Sequence, residues 1–323
     1  MSNNITQKPL VSILMAVYNP NYDWFKEQLI SLNNQSYNNL ELIIYDDCPD
    51  KPADEEFIDR YINKFNYKIV RGKVNKGSNK AFEELTKIGE GIYFAYCDQD
   101  DIWEIDKIKL LVDKIESDNS ILVYSDMSVI DENGIHKYDT LIEAKPRIKY
   151  IYGNNLTAQF FFKNCVSGCC MLIRSEVAKF ALPFSKFIIH DQWLCIVASL
   201  YGNISFMNNT LVKYRIHGNN QTGSLRGIVT KKDYYSFRVN TLSNRMKELS
   251  EVISKVNQMK TNNYSDINKL QINQIKEFCN ARINKKLIRI FKYRYLCKNE
   301  AYFEILIKYM PELVVKYLLR KLK

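Results

Sequence analysis

Three apolar runs that do not alternate with polar residues each end at a polar or acidic cluster. Leu10 to Tyr18 stops at Asn19-Pro20, Leu40 to Tyr45 stops at Asp46-Asp47, and Ile92 to Cys97 stops at Asp98-Gln99-Asp100-Asp101. A strand with one face in water alternates, whereas an unalternating strand is covered on both faces. Segments of helical character fill the intervals. Trp24, Phe25, Leu29 and Leu32 share one face, Phe57 to Phe65 reads as a second helix, Asn75 to Asn79 opens a third that runs to about Leu85, and a fourth starts at Ile105. Tyr67 to Val70 adds a short strand. The order β-α-β-α-β-α-β predicts an α/β fold with a mostly parallel sheet flanked by helices. Ligands of such sheets bind beyond the carboxyl ends of the strands, where the strand order reverses. The three polar strand ends are therefore the expected place for a nucleotide site.

Asp98, Asp100 and Asp101 put three carboxylates within four residues, and these repel unless something positive lies among them. A hard divalent cation that also holds a diphosphate is the simplest candidate, and an acidic turn capping the next helix is the plainer one.

Further along, Ile121 to Ser125 and Cys169 to Arg174 read as strands, with a hairpin turn at Asp131-Glu132-Asn133-Gly134 between them. His190 to Tyr201 reads as a helix with Gly202 as its C-cap. Ile204 to Phe206 and Leu211 to Arg215 read as two strands, followed by the polar loop Ile216 to Gly223. The eight cysteines form no C-x-x-C pair, and several lie inside apolar runs, which fits reduced thiols in a cytoplasmic protein. The opening residues show no basic-then-apolar leader, and no run approaches the ~18 apolar residues of a membrane span.

Charge divides the chain. Residues 1–221 carry 24 Lys/Arg against 28 Asp/Glu, and residues 222–323 carry 22 against 8. The expected division is therefore a catalytic domain over 1–222 and a basic helical region over 223–323. Apolar residues at helical spacing from Asn284 to Lys323, interleaved with aromatics and cations, fit a peripheral anchor on an anionic membrane face. Packing of that apolar face on the catalytic domain, or on a second copy in a homo-oligomer, is the alternative. No nucleic-acid motif accompanies the charge.

Val11 to Asn19, Ile43 to Asp47, Asn75-Lys76-Gly77, Asp98 to Trp103 and His190-Asp191-Gln192-Trp193 together resemble the family 2 glycosyltransferases, inverting enzymes of the GT-A fold. The resemblance covers roughly residues 8–222. Asp98 to Trp103 and Tyr214 to Gln221 look most like rhamnosyltransferase-like members that build bacterial surface polysaccharides. The resemblance implies a nucleoside-diphosphate sugar donor (dTDP-rhamnose or a UDP-hexose), a lipid-linked or oligosaccharide acceptor of the capsule or O-antigen kind, and Mn²⁺ or Mg²⁺. It places Ala16 and Tyr18 where the base packs, Asp47 as acceptor of a hydrogen bond from the pyrimidine, Asp98 near the ribose and Asp100 on the metal with Asp101 assisting. Asp191 matches the general base, although His190 stands where the family commonly has Glu.

Other roles stay open on the residues themselves. Asp191 could be a helix N-cap, and His217 either a diphosphate or metal contact or a loop residue. His190 is a candidate for the acceptor side or for orienting Asp191, Gly168 for close approach of the sugar, and Trp103 for stacking on it or for packing. A sugar-1-phosphate nucleotidyltransferase would also use strand-end carboxylates, but Asn19-Pro20-Asn21 supplies no Gly-rich phosphate loop. A non-catalytic glycan-binding or assembly protein is the third reading, against which the intact Asp47, Asp98, Asp100 and Asp191 argue.

Overall fold

The computed structural model describes residues 8–218, 228–258 and 266–321. Two compact units emerge. The first comprises the chain up to Asn154 with Cys165–Phe184 and Ile189–His217; the second comprises Asn155–Asn164, Ser185–Ile188 and the chain from Gly218. The expected boundary at 222/223 lies outside the described residues, and the division runs between His217 and Gly218.

The first unit is one curled, mostly parallel sheet of nine strands with helices around it. In chain order its elements are β1 (Val11–Val17), α1 (Tyr22–Asn33), β2 (Leu40–Asp46), α2 (Glu55–Tyr61), β3 (Asn66–Arg71), α3 (Ser78–Ile88), β4 (Tyr93–Cys97), β5 (Ile102–Trp103), α4 (Lys107–Ser117), β6 (Leu122–Ile130), β7 (His136–Tyr138) and α5 (Leu141–Ala144). After α6 (Thr157–Phe162), which belongs to the second unit, come β8 (Met171–Arg174), α7 (Ser175–Phe180), α8 (His190–Tyr201) and β9 (Ile204–Arg215). The sheet order is β3-β2-β1-β4-β8-β6-β9-β5, with β7 paired to β6. The four strands β3, β2, β1 and β4 run parallel. Every residue of β4 is buried, and all of β1 but Ala16, as unalternating strands sandwiched between helices must be. The order reverses between β1 and β4, so the switch point lies where Tyr18 and Asp98 leave the sheet.

One expectation is corrected. Residues 204–215 form one strand, because β9 runs parallel to β6 along its length with register shifts near Asp126 that absorb the polar middle. Ile102-Trp103 is a strand paired antiparallel to Val212 and Lys213, two residues long and too short to show a period. The hairpin turn is present, with Gly134 in the left-handed region at φ +78°.

The second unit is helical, built from α6, α9 (Lys231–Gln258), α10 (Asp266–Ile283), α11 (Leu287–Lys292), α12 (Lys298–Ile307) and α13 (Glu312–Lys321). Ile228, Tyr234, Ile307, Val315 and Leu319 form one core cluster, and Phe278, Ala281, Ile290 and Ala301 another. Arg282 donates to both oxygens of Glu304 at 2.9 and 2.7 Å, and Tyr234 Oη donates to Glu304 at 3.0 Å. Much of the apolar periodicity after residue 284 thus serves packing within this unit. No helix among the described residues is long and apolar enough to cross a membrane.

Candidate active site

At the switch point a side chain extends the sheet. Tyr18 N–H donates to Gln99 Oε1 at 2.8 Å, and Gln99 Nε2 donates to the Tyr18 carbonyl at 3.2 Å. The Gln99 amide thereby adds one rung beyond the last β1–β4 pair, Met15 with Cys97. Asn19 follows in the left-handed region at φ +39°, a turn that Asn tolerates better than most residues. Ala16 is the one partly exposed residue of β1 and Tyr18 is about half exposed, so a ligand can reach both.

At the end of β2 both carboxylates are engaged. Asp46 accepts from Cys48 N–H and Ala53 N–H at 3.1 and 2.7 Å and pairs with Arg71 at 3.0 Å. Asp47 accepts from Lys76 N–H at 2.9 Å and Gly77 N–H at 2.7 Å, fixing the turn into α3. Gly77 needs its φ of +81° to enter that helix. A carboxylate has about four lone-pair sites, so a base approaching Asp47 would use those that remain.

The carboxylates after β4 occupy three different environments. Asp98 is pushed well above the usual carboxylate range by burial and then by Asp101, Asp100 and Asp191. Asp101 is fully buried; burial, and then Asp100, raise it to about 7, while the N–H of Arg215 donating to its Oδ1 at 3.0 Å pulls the other way. Asp100 remains partly exposed and turns outward, where His217 Nε2 lies 2.8 Å from its Oδ2. The His217 ring in turn packs on the Trp24 indole with centroids 4.8 Å apart.

Two buried cations stand behind this turn. Arg215, 1% exposed, donates from Nε to the Asp100 carbonyl at 2.9 Å and from Nη1 to the Asp131 carbonyl at 3.3 Å, and it pairs with Glu27. Lys107 is fully buried, with its ammonium 3.0 Å from the centre of the Trp103 ring and no hydrogen-bond partner among the described residues. Burial lowers Lys107 to about 8, and its charge favours ionisation of Asp98 and Asp101. Neither cation was given a role by the sequence reading. A signal existed for Lys107, which takes the same helical stripe as the buried Leu111 and Ile115.

Asp191 lies in the first turn of α8, nearly buried, and its charge acts on Asp98. Ile189 holds the N-cap position of α8, so Asp191 is not the cap.

The three acceptor-side candidates are all buried. Trp103 is 3% exposed and covered by Lys107, which leaves no face for a sugar. His190 stacks on Phe82 with centroids 4.2 Å apart, neither ring nitrogen has a hydrogen-bond partner among the described residues, and burial holds it at about 3, so it sits as a neutral ring. Gly168 makes room for that ring: a Cβ there would meet His190 Nε2 at 2.6 Å. The space it opens is filled from within the protein and is not available to a substrate.

The residues suit a divalent cation unevenly. Donor atoms of Asp98, Asp101 and Cys169 lie within 4.8 Å of one another. Cys169 is held well above the usual thiol range by burial and the carboxylates beside it, which makes it a poor ligand, and one Asp101 oxygen is committed to Arg215. Asp101 thus anchors the turn through one oxygen, while its other oxygen remains among the donors grouped with Asp98. Asp100 and His217, 2.8 Å apart, offer an oxygen and an imidazole nitrogen of the kind Mg²⁺ or Mn²⁺ accepts.

A curled, mostly parallel sheet flanked by helices, with carboxylates at its switch point, is the architecture of the GT-A fold. Residues 12–180, just over half the chain, match Glycosyl transferase family 2, and the chain belongs to that family. It is 30% identical over 240 residues to the uncharacterized glycosyltransferase MJ1057 of Methanocaldococcus jannaschii, covering 72% of this chain and 79% of that protein. It is 26% identical to WfgD of Escherichia coli, a UDP-Glc:α-D-GlcNAc-diphosphoundecaprenol β-1,3-glucosyltransferase, over 64% of this chain and 77% of WfgD. It is 27% identical to the putative teichuronic acid biosynthesis glycosyltransferase TuaG of Bacillus subtilis, over 72% of this chain and 88% of TuaG. In fold it is similar to S. aureus TarS 1–349 in complex with UDP-GlcNAc, with a TM-score of 0.57 at 15% identity over 93% of this chain and 90% of that one.

Proposed function

We propose that the chain transfers a hexose, with inversion, from a UDP-sugar to a hydroxyl of a lipid-linked acceptor in the synthesis of a surface glycan. The observation that carries this reading is the arrangement beyond β4, where Asp100 pairs with His217 while Asp191 acts on Asp98 from α8. The activity in the name of WfgD and the pathway in that of TuaG support the acceptor class. A UDP-hexose is preferred to dTDP-rhamnose because WfgD uses UDP-Glc.

In this reading the base lies against Ala16 and Tyr18, and Asp98 lies near the ribose. Asp100 and His217 would hold Mn²⁺ or Mg²⁺, which when bound neutralises the diphosphate as the sugar leaves. Asp191 takes the proton of the acceptor hydroxyl. The freed oxygen pair forms the new bond to the anomeric carbon opposite the departing diphosphate, so the configuration inverts. General-base assistance of this kind is worth about 10²–10⁴-fold in rate.

The test combines a donor panel with two variants. UDP-glucose, UDP-GlcNAc and dTDP-rhamnose are each offered with Mn²⁺ and a synthetic sugar-diphospho-polyprenol. Asp191→Asn should retain donor binding and lose transfer by about 10²-fold or more. Asp100→Ala should abolish metal-dependent turnover in a folded protein. Near-normal transfer by Asp191→Asn removes it as base, and turnover of dTDP-rhamnose alone overturns the donor assignment.

A further inference from the structure

The helical unit carries apolar residues on two sets of faces, and its cores use only one. On α13, Val315 and Leu319 are buried, while Leu313, on the opposite side of the helix, is 80% exposed. On α11, Ile290 is buried and Ile288 is 88% exposed. Leu306 at the end of α12 and Tyr309 just beyond it are exposed as well, Tyr309 by 72%. Each of these three successive helices thus carries large apolar side chains in solvent beside its buried ones.

Cations are interleaved with them. The Arg294 guanidinium sits 3.9 Å from the centre of the exposed Phe291 ring, and Lys308 lies 5.7 Å from that of Tyr309. Residues 284–321 carry ten Lys/Arg against three Asp/Glu, and one of the three, Glu304, is buried against Arg282.

We propose that this face of the helical unit docks on an anionic phospholipid surface. A bilayer supplies both complements at once: acyl chains for Ile288, Leu306 and Leu313, and phosphate head groups for the surrounding lysines and arginines. A second copy would bring like charge against like charge. A soluble polyanion would leave the aliphatic side chains without an apolar partner. The inference does not depend on which sugar is moved.

The test is sedimentation of the full chain with vesicles of phosphatidylcholine alone and of phosphatidylcholine with one quarter phosphatidylglycerol. Binding is expected to the anionic vesicles, to be weak on the neutral ones, and to fall as salt rises. Ile288→Glu with Leu313→Glu should weaken it at least about ten-fold with thermal unfolding and turnover of a soluble acceptor unchanged. Ile288→Ser with Leu313→Ser gives the same test without added charge and should also weaken binding. No vesicle binding by the wild-type chain overturns the proposal, as does equal binding by both variants. So does a dimer in sedimentation velocity that the substitutions dissociate, or competition by polyphosphate that removes all binding. Because turnover is read separately, loss of vesicle binding with normal transfer leaves the catalytic reading standing, and the converse result leaves the docking face standing.

Discussion

His217 Nε2 lies 2.8 Å from Asp100 Oδ2 across 117 residues of sequence. β9 makes the meeting possible. It pairs with β5, which follows Asp101 directly, so the end of the last strand returns to the turn that leaves β4. Trp24 supports the imidazole from α1. His217→Ala should raise the Mn²⁺ concentration for half-maximal turnover by about 10–100-fold, the usual cost of losing one contact around a bound metal. A metal titration of initial rates reads this directly. An unchanged Mn²⁺ dependence would remove His217 from the metal.

Arg215 holds the same turn from behind. Its side chain donates to the carbonyls of Asp100 and Asp131, and its backbone N–H to Asp101. Arg215→Met should cost about 2–3 kcal/mol, toward the low end for a broken buried pair because Glu27 is half exposed. The urea midpoint should fall at constant m-value. Arg215→Lys should recover only part of the loss, since one ammonium cannot reproduce the guanidinium fork.

What the sequence made legible follows from what has a local signature. The unalternating runs of β1, β2 and β4 announced a covered parallel sheet, because burial on both faces is written in consecutive residues. Strand-end acids likewise announced where the chain leaves the sheet. The partition among Asp98, Asp100 and Asp101 was not legible. It depends on Arg215 and Lys107, which come from β9 and α4, and no spacing near residue 100 encodes them. The surroundings of Trp103 and Gly168 were not legible for a related reason. Each looks like a substrate contact until the residue that fills the space beside it, Lys107 or His190, is known.

Gly168 and His190 give a paired prediction. Gly168 is not in the left-handed region, so alanine there is compatible with the backbone and meets only the imidazole at 2.6 Å. Gly168→Ala alone should destabilise by about 1–3 kcal/mol through overpacking. In a His190→Ala background the same change should cost much less, with a coupling above about 1 kcal/mol in the double-mutant cycle. Additive effects would mean that the ring moves aside freely.

His190 also sets an acid limit on stability. Burial lowers it from 6.5 to about 3 in the native protein, so between those values the unfolded chain binds a proton that the folded one does not. Stability on its account is fully present above about pH 6.5 and is lost progressively as pH falls toward 3, by on the order of 5 kcal/mol over that window. Asp101 acts in the opposite direction. Raised to about 7, it is protonated in the native state at pH values where the unfolded chain is ionised, so acidification from 7 toward 4 favours folding on its account. The two partly cancel in the wild-type protein, and a single pH curve cannot separate them. His190→Phe keeps an apolar ring on Phe82 and removes only the histidine contribution. Urea unfolding of both proteins at pH 7.5, 6 and 5 should show the variant gaining on the wild type as pH falls. Parallel curves across that range would mean that His190 reaches solvent and titrates normally.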